Sequence, residues 1–191
     1  MIIKVDQGKQ ISVLDITEEF EKIWTECLEA IYHEDRIIHH VQIDGHYYYS
    51  DYENYIKNNM GLTKEVHVIS SSRQESISET ETALSEYLTR YIPVMNNIAN
   101  KLYGDVSPET WEEFAAGLKG LQWIMSSFEF LRFLYETGSE EKKLIQDGCS
   151  QLSQIVKELD NEMQSDHLVG VADLLQYELL PFLNSFLTDE R

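Results

Sequence analysis

Basic side chains are scarce in this sequence. Fifteen Lys and Arg stand against 34 Asp and Glu, a net charge of −19, so the surface lacks the cations that neutralise a phosphate backbone. That argues against nucleic acid as a partner and, for the same reason, against an anionic membrane surface. Cysteine is scarcer still. Cys27 and Cys149 are the only two in 191 residues and lie in different expected helices, which excludes a disulfide framework and reads as two reduced, small apolar side chains. Long apolar runs are missing too. The most apolar stretch, Leu121 to Tyr135, contains Gln122, Ser126, Ser127, Glu129 and Arg132, and is too short and too polar to cross a bilayer. The opening Met1-Ile2-Ile3-Lys4-Val5-Asp6 has neither a basic leader nor a 7–15-residue apolar run. The expected location is the cytoplasm.

Catalytic signatures are equally thin. There is no Gly-rich phosphate loop, because Gly117-Leu118-Lys119-Gly120 falls inside a helical pattern, and no Gly-x-Ser-x-Gly. Neither cysteine has a histidine or basic residue placed nearby in sequence to activate it. His-Glu-x-x-His and paired Glu-x-x-His motifs are lacking. His39, His40 and His46 are close in sequence, but a two-residue Asp44-Gly45 loop opposes Ile43 to His46, Val41 to Tyr48 and His39 to Ser50. His40 then faces away from the other two, and His39 and His46 stand about 13 Å apart at ~3.4 Å per residue, too far to share a metal. No cofactor and no metal are expected, and the chain reads as a binding protein rather than an enzyme.

What is present is a folded chain, 42% hydrophobic, whose patterning changes near Ser70-Ser71-Ser72. Residues 1–72 carry 6 basic and 13 acidic groups, residues 73–191 carry 9 and 21, so charge does not separate the parts. In the first part, Ile2–Val5 and Gln10–Leu14 flank the turn Asp6-Gln7-Gly8-Lys9, with Gly8 the candidate for positive φ. Thr17 followed by Glu18 and Glu19 starts a helix, whose apolar stripe is Phe20, Ile23, Trp24, Cys27, Leu28 and Ile31. Arg36–Ile43 and His46–Ser50 form a hairpin about Asp44-Gly45. A short helix capped by Asp51 carries Tyr52, Tyr55 and Ile56, and Glu65–Ser70 is a last strand. The order ββαββαβ in residues 1–72 resembles a ubiquitin-like β-grasp in element order, without the terminal Gly-Gly of a conjugated modifier.

Residues 73–191 read as an up-down-up-down four-helix bundle. Ser72 precedes a helix with the seam Ile77, Leu84, Leu88, Tyr91, Met95, Ile98, Leu102. Ser107-Pro108-Glu109 opens the next, with the seam Trp111, Phe114, Leu118, Leu121, Met125, Phe128. Gly138 ends that helix, and Ser139 caps a third with the seam Ile145, Cys149, Leu152, Val156, Leu159, Met163. A fourth, capped by Ser165 or Asp166, carries Leu168, Ala172, Leu175, Leu179, Phe182 and Phe186. Pro93 and Pro181 interrupt the first and last, either curving them or opening a bulge with room for a ligand.

Two features suggest surfaces for binding. The second bundle helix adds Trp123, Ile124, Phe130, Leu131, Phe133 and Leu134 outside its main seam, to be covered by the β-grasp module, by a partner protein or by a second copy. Tyr47, Tyr48, Tyr49, Tyr52 and Tyr55 are five of eleven tyrosines, set among Asp44, Asp51 and Glu53 rather than cations. They suit a half-buried strand or, at Tyr47 and Tyr49, a protein-binding patch. The candidate interaction surface is therefore Trp123, Phe130, Phe133, Tyr47 and Tyr49. Asp173-Leu174-Leu175-Gln176-Tyr177-Glu178-Leu179-Leu180-Pro181-Phe182-Leu183, with Ile43-Asp44-Gly45, Tyr48-Tyr49 and Asp51-Tyr52, resembles an uncharacterised family of Gram-positive bacterial proteins, which implies a bacterial chain but no activity. The expected function is a non-enzymatic interaction protein, adaptor or chaperone-like, with a protein partner or homodimer. The alternative is a small-molecule binder or enzyme using a cavity among the helices.

Overall fold

The computed structural model describes residues 1–8, 10–14, 16–104 and 106–187, which leaves Lys9 of the expected first turn and residues 188–191 of the expected bundle outside the described residues. The protein is α+β and divides into two compact units, residues 1–76 and 77–191.

The first unit follows the expected order: β1 (Ile2–Val5), β2 (Gln10–Ser12), α1 (Thr17–His33), β3 (Arg36–Ile43), β4 (His46–Tyr48), α2 (Tyr52–Asn58) and β5 (Glu65–Ser72). The five strands make one sheet in the order β2-β1-β5-β3-β4, with β1 and β5 parallel and the other pairs antiparallel. The apolar stripe of α1 buries Phe20, Trp24, Cys27 and Ile31 in one cluster with Ile3, Val41, Ile43, Val66 and Val68 of the sheet and Ile56 of α2. The Asp44-Gly45 turn has the left-handed conformation that a two-residue hairpin requires (φ 48° and 88°), and Val41 pairs with Tyr48 and Ile43 with His46 as expected.

Left-handed backbone elsewhere falls on aspartate. Among the described residues, every non-glycine position with positive φ is an aspartate: Asp6, Asp35, Asp44, Asp51 and Asp166. Asp6 thus takes the role expected of Gly8. Four of these carboxylates also find partners. Asp6 accepts from the Ser70 amide at 2.8 Å and its hydroxyl at 2.6 Å, while Arg36 donates to Ser70 Oγ and O, each at 2.7 Å. Asp44 Oδ1 accepts from the amides of Lys64 and Glu65 at 3.0 and 2.8 Å. Asp35 pairs with Arg73 at 2.8 Å, and Asp51 accepts from Asn54. At Asp6 and Asp44 a short polar side chain that tolerates αL also ties down β5, which glycine could not do.

One expectation fails in this unit. The β3–β5 register shifts between Ile38 and His40, which leaves His39 as an extra, bulged residue. Two adjacent residues at a bulge point to the same side, so His40 faces His39 instead of turning away from it. In addition β4 ends at Tyr48, and no His39–Ser50 pair forms.

The helical unit contains α3 (Arg73–Leu102), whose first turn belongs to the preceding unit, α4 (Pro108–Leu134) and α5 (Glu140–Gln164). It ends in a helical segment split into α6 (Leu168–Asp173), a π-helical turn (Leu174–Leu179) and α7 (Leu180–Ser185). Ser72 and Glu75 form a reciprocal capping box at the start of α3: the Glu75 amide donates to Ser72 Oγ, and the Glu75 carboxylate accepts from the Ser72 amide. Those bonds hold the Glu75 carboxyl below its usual pKa. Ser107 and Ser139 cap α4 and α5 as expected, accepting from the amides of Thr110 and Lys142. The last segment is not capped by Ser165 or Asp166. His167 holds the N-cap position without a side-chain cap bond, and Glu162 contacts its ring. Gly138 (φ 92°) lies in the loop beyond α4, which ends at Leu134.

Proline 181 follows a register change. The Leu180 amide donates to Leu175 O, five residues back, so the chain widens by one residue just before the position that has no N–H to give. The seam of α3 is buried as expected, but α4 is rotated. Its buried line is Phe114, Gly117, Leu121, Ile124, Phe128 and Leu131, while Trp111 is exposed and Leu118 and Met125 are half-buried. On α5 the line is Ile145, Gly148, Leu152, Ile155 and Leu159, with Cys149 and Val156 half-buried. Glycines hold seam positions in both helices, and a reading that counts apolar side chains passes over them. Among the described residues no helix is long and apolar enough to cross a membrane.

Candidate interaction surfaces

In the sheet unit Tyr47, Tyr48 and Tyr49 alternate in facing along β4 and just past it, while Tyr52 and Tyr55 lie on α2. Tyr48 turns towards the core side and packs on Tyr55 at 4.6 Å between ring centroids, and Tyr52 lies 5.9 Å from Trp24. Tyr47 and Tyr49 turn outward and remain 63% and 69% exposed. They do not stand alone, because the bulge delivers two histidines beside them. His40 lies 5.3 Å from Tyr47 and 5.7 Å from Tyr49, His39 lies 6.2 Å from Tyr49, and the two imidazoles approach at Nδ1–Nδ1 2.7 Å. Desolvation, then the neighbouring His39 and His67, lowers the His40 pKa below the usual imidazole value. The result is an aromatic patch of two tyrosines and two histidines on the outer face of the sheet. Among the described residues no three His, Cys, Asp or Glu side chains converge as metal ligands.

In the helical unit the rotation of α4 sorts its surplus apolar residues. Ile124, Leu131 and Leu134 enter the core, whereas Trp123, Phe130 and Phe133 stay 41%, 40% and 59% exposed. Trp123 and Phe130, seven residues apart, lie on one side of the helix, and Phe133 falls within a turn of them. The Trp123 ring rests 4.7 Å from Tyr87 of α3, which fixes its orientation while leaving a face open. The structure places Trp123, Phe130 and Phe133 together on one unit and Tyr47 and Tyr49 together on the other.

The helical unit contains a cleft of about 300 Å³, whose lining residues the sequence reading did not locate. Its floor is the buried side chains Leu84, Leu88, Leu131 and Ile145, contributed by α3, α4 and α5. Glu81 and Glu141 stand exposed at its rim, and the Tyr135 hydroxyl donates to Glu81. Neither thiol resembles a nucleophile. Burial raises the Cys27 pKa, and burial together with Glu129 pushes Cys149 up to about 11.

Residues 79–189 match the model of a domain of unknown function, DUF8042. The chain belongs to the DUF8042 family. Its matched residues fall inside the helical unit, so the DUF8042 domain carries Trp123, Phe130, Phe133 and the cleft, while Tyr47 and Tyr49 lie outside it. No curated protein and no solved structure matches the chain.

Proposed function

We propose that this DUF8042 protein is a cytoplasmic, non-enzymatic interaction protein, an adaptor or small chaperone, that binds a protein partner through the exposed aromatic side of α4. The observation that carries this reading is the placement of Trp123, Phe130 and Phe133, partly solvent-exposed on one helix, while Ile124, Leu131 and Leu134 beside them are buried. Aromatic side chains with an open face are the usual anchors of protein interfaces, where each contributes about 2 kcal/mol or more. The net charge of −19 favours a partner with a basic rim over a second equally acidic copy. Tyr47 and Tyr49 form a second contact area on the sheet unit. The strand order supports a β-grasp for that unit, and three long helices followed by a broken fourth support an up-down-up-down bundle for the family domain. Origin in a Gram-positive bacterium, from the motifs at Asp44-Gly45 and Leu174–Leu183, is part of the same proposal.

The test is capture of partners from a bacterial lysate at low and high salt, with the parent and with Phe130→Ser/Phe133→Ser. Retention of a basic protein by the parent alone, weakened by salt, supports the proposal. Equal retention by both refutes it, and a parent that sediments as a dimer which the double variant breaks replaces the partner with a second copy.

A further inference from the structure

The cleft offers chemistry that the interaction reading does not use. We infer that it is a binding site for a small amphiphilic cation, an ammonium group carried on an apolar body. Four fully apolar side chains, Leu84, Leu88, Leu131 and Ile145, are buried beneath it, so the part of a ligand reaching the floor has to be hydrocarbon. A volume of about 300 Å³ lies at the small end of the range for ligand sites, which admits a single ring or short chain and excludes a peptide.

Charge decides the other end of the ligand. Among the described lining residues the carboxylates are Glu81 and Glu141, and none is Lys, Arg or His. Glu81 is held in place by the Tyr135 hydroxyl, so one carboxylate is oriented before any ligand arrives. The nearby Lys142 ammonium donates to the Tyr135 carbonyl oxygen at 3.1 Å and is not among the residues that line the cleft. An anion of the same shape meets two carboxylates and is repelled, and a neutral analogue gains the floor but not the ion pair.

The experiment uses three molecules of one shape: 4-phenylbutylammonium, 4-phenylbutanol and 4-phenylbutyrate, titrated into the full chain by calorimetry and thermal melting. The account expects saturable binding of the ammonium with a rise in melting temperature, at least about tenfold weaker binding of the alcohol and none of the carboxylate. Glu81→Gln/Glu141→Gln should weaken the ammonium at least about tenfold, while the melting temperature of the free protein falls by no more than a few degrees, since both side chains are exposed and a glutamine can still accept from the Tyr135 hydroxyl. Ser85→Lys is an independent check. It sets a competing ammonium one turn from Glu81 at the rim and should abolish binding. No saturable binding of the ammonium, equal binding of the carboxylate, or binding unaffected by both sets of substitutions would overturn the assignment.

Discussion

The buried Tyr91 hydroxyl on α3 donates to the carbonyl oxygen of Gly117 on α4 at 3.0 Å. This side-chain-to-backbone bond joins two helices where they approach closely, and burial raises the tyrosine pKa so that the donor keeps its proton. Glycine permits the approach. A Cβ at Gly120 would overlap the Tyr87 hydroxyl and sit 2.8 Å from Tyr91 Cε2. Tyr91→Phe should cost about 1 kcal/mol, the net value of one buried hydrogen bond. Gly120→Ala should cost about 1–3 kcal/mol despite its better helix propensity, because the Tyr91 ring is held by its own bond. Urea unfolding midpoints with unchanged slopes would check both.

The hairpin turn makes a second prediction. Asp44 combines a left-handed φ of 48° with a carboxylate that accepts two amides at the start of β5. Asp44→Ala loses both and should destabilise by about 1–2 kcal/mol. Asp44→Asn tolerates αL and keeps an acceptor, so it should lose less than half of that. Equal losses for the two variants, measured by urea unfolding, would contradict the account of the aspartate turns.

Histidine 40 supplies a pH dependence. Its pKa is lowered in the folded state, so the unfolded chain binds the proton first. The corresponding stability is complete above about pH 6.5 and is lost as pH falls through the unfolded value towards the folded one. Thermal melting at pH 7.5 and 5.5 should show a smaller acid-induced fall for His40→Gln than for the parent. An identical fall in both would contradict the desolvated, histidine-flanked environment.

Much of this architecture is legible in the residues themselves. Asp44-Gly45 sets a turn type, and the turn sets the register of Val41 with Tyr48. Ser107-Pro108 and Ser139 place helix starts, since caps are local chemistry. Features that depend on distant partners were not legible. The parallel pairing of β1 with β5 joins opposite ends of the sheet unit. The bulge at His39 arises from a mismatch with β5 that no single strand reveals, and it reverses the expected direction of His40. The rotation of α4 follows from Gly117 and Gly120, whose contribution is the side chain they lack. At the candidate surfaces, sequence singled out Trp123, Phe130 and Phe133 as surplus, and only packing separated them from Ile124, Leu131 and Leu134. The lining of the cleft was not legible because its walls come from α3, α4, α5 and, after α7, Phe186 and Leu187.

The most direct test of the central claim is to melt Phe130→Ala beside the parent and measure partner binding by each. With its side chain 40% exposed, Phe130 should contribute about 1 kcal/mol or less to stability, so melting stays within a few degrees while binding falls at least about tenfold. A loss of about 3–5 kcal/mol with binding unchanged would contradict the interface and return Phe130 to the core.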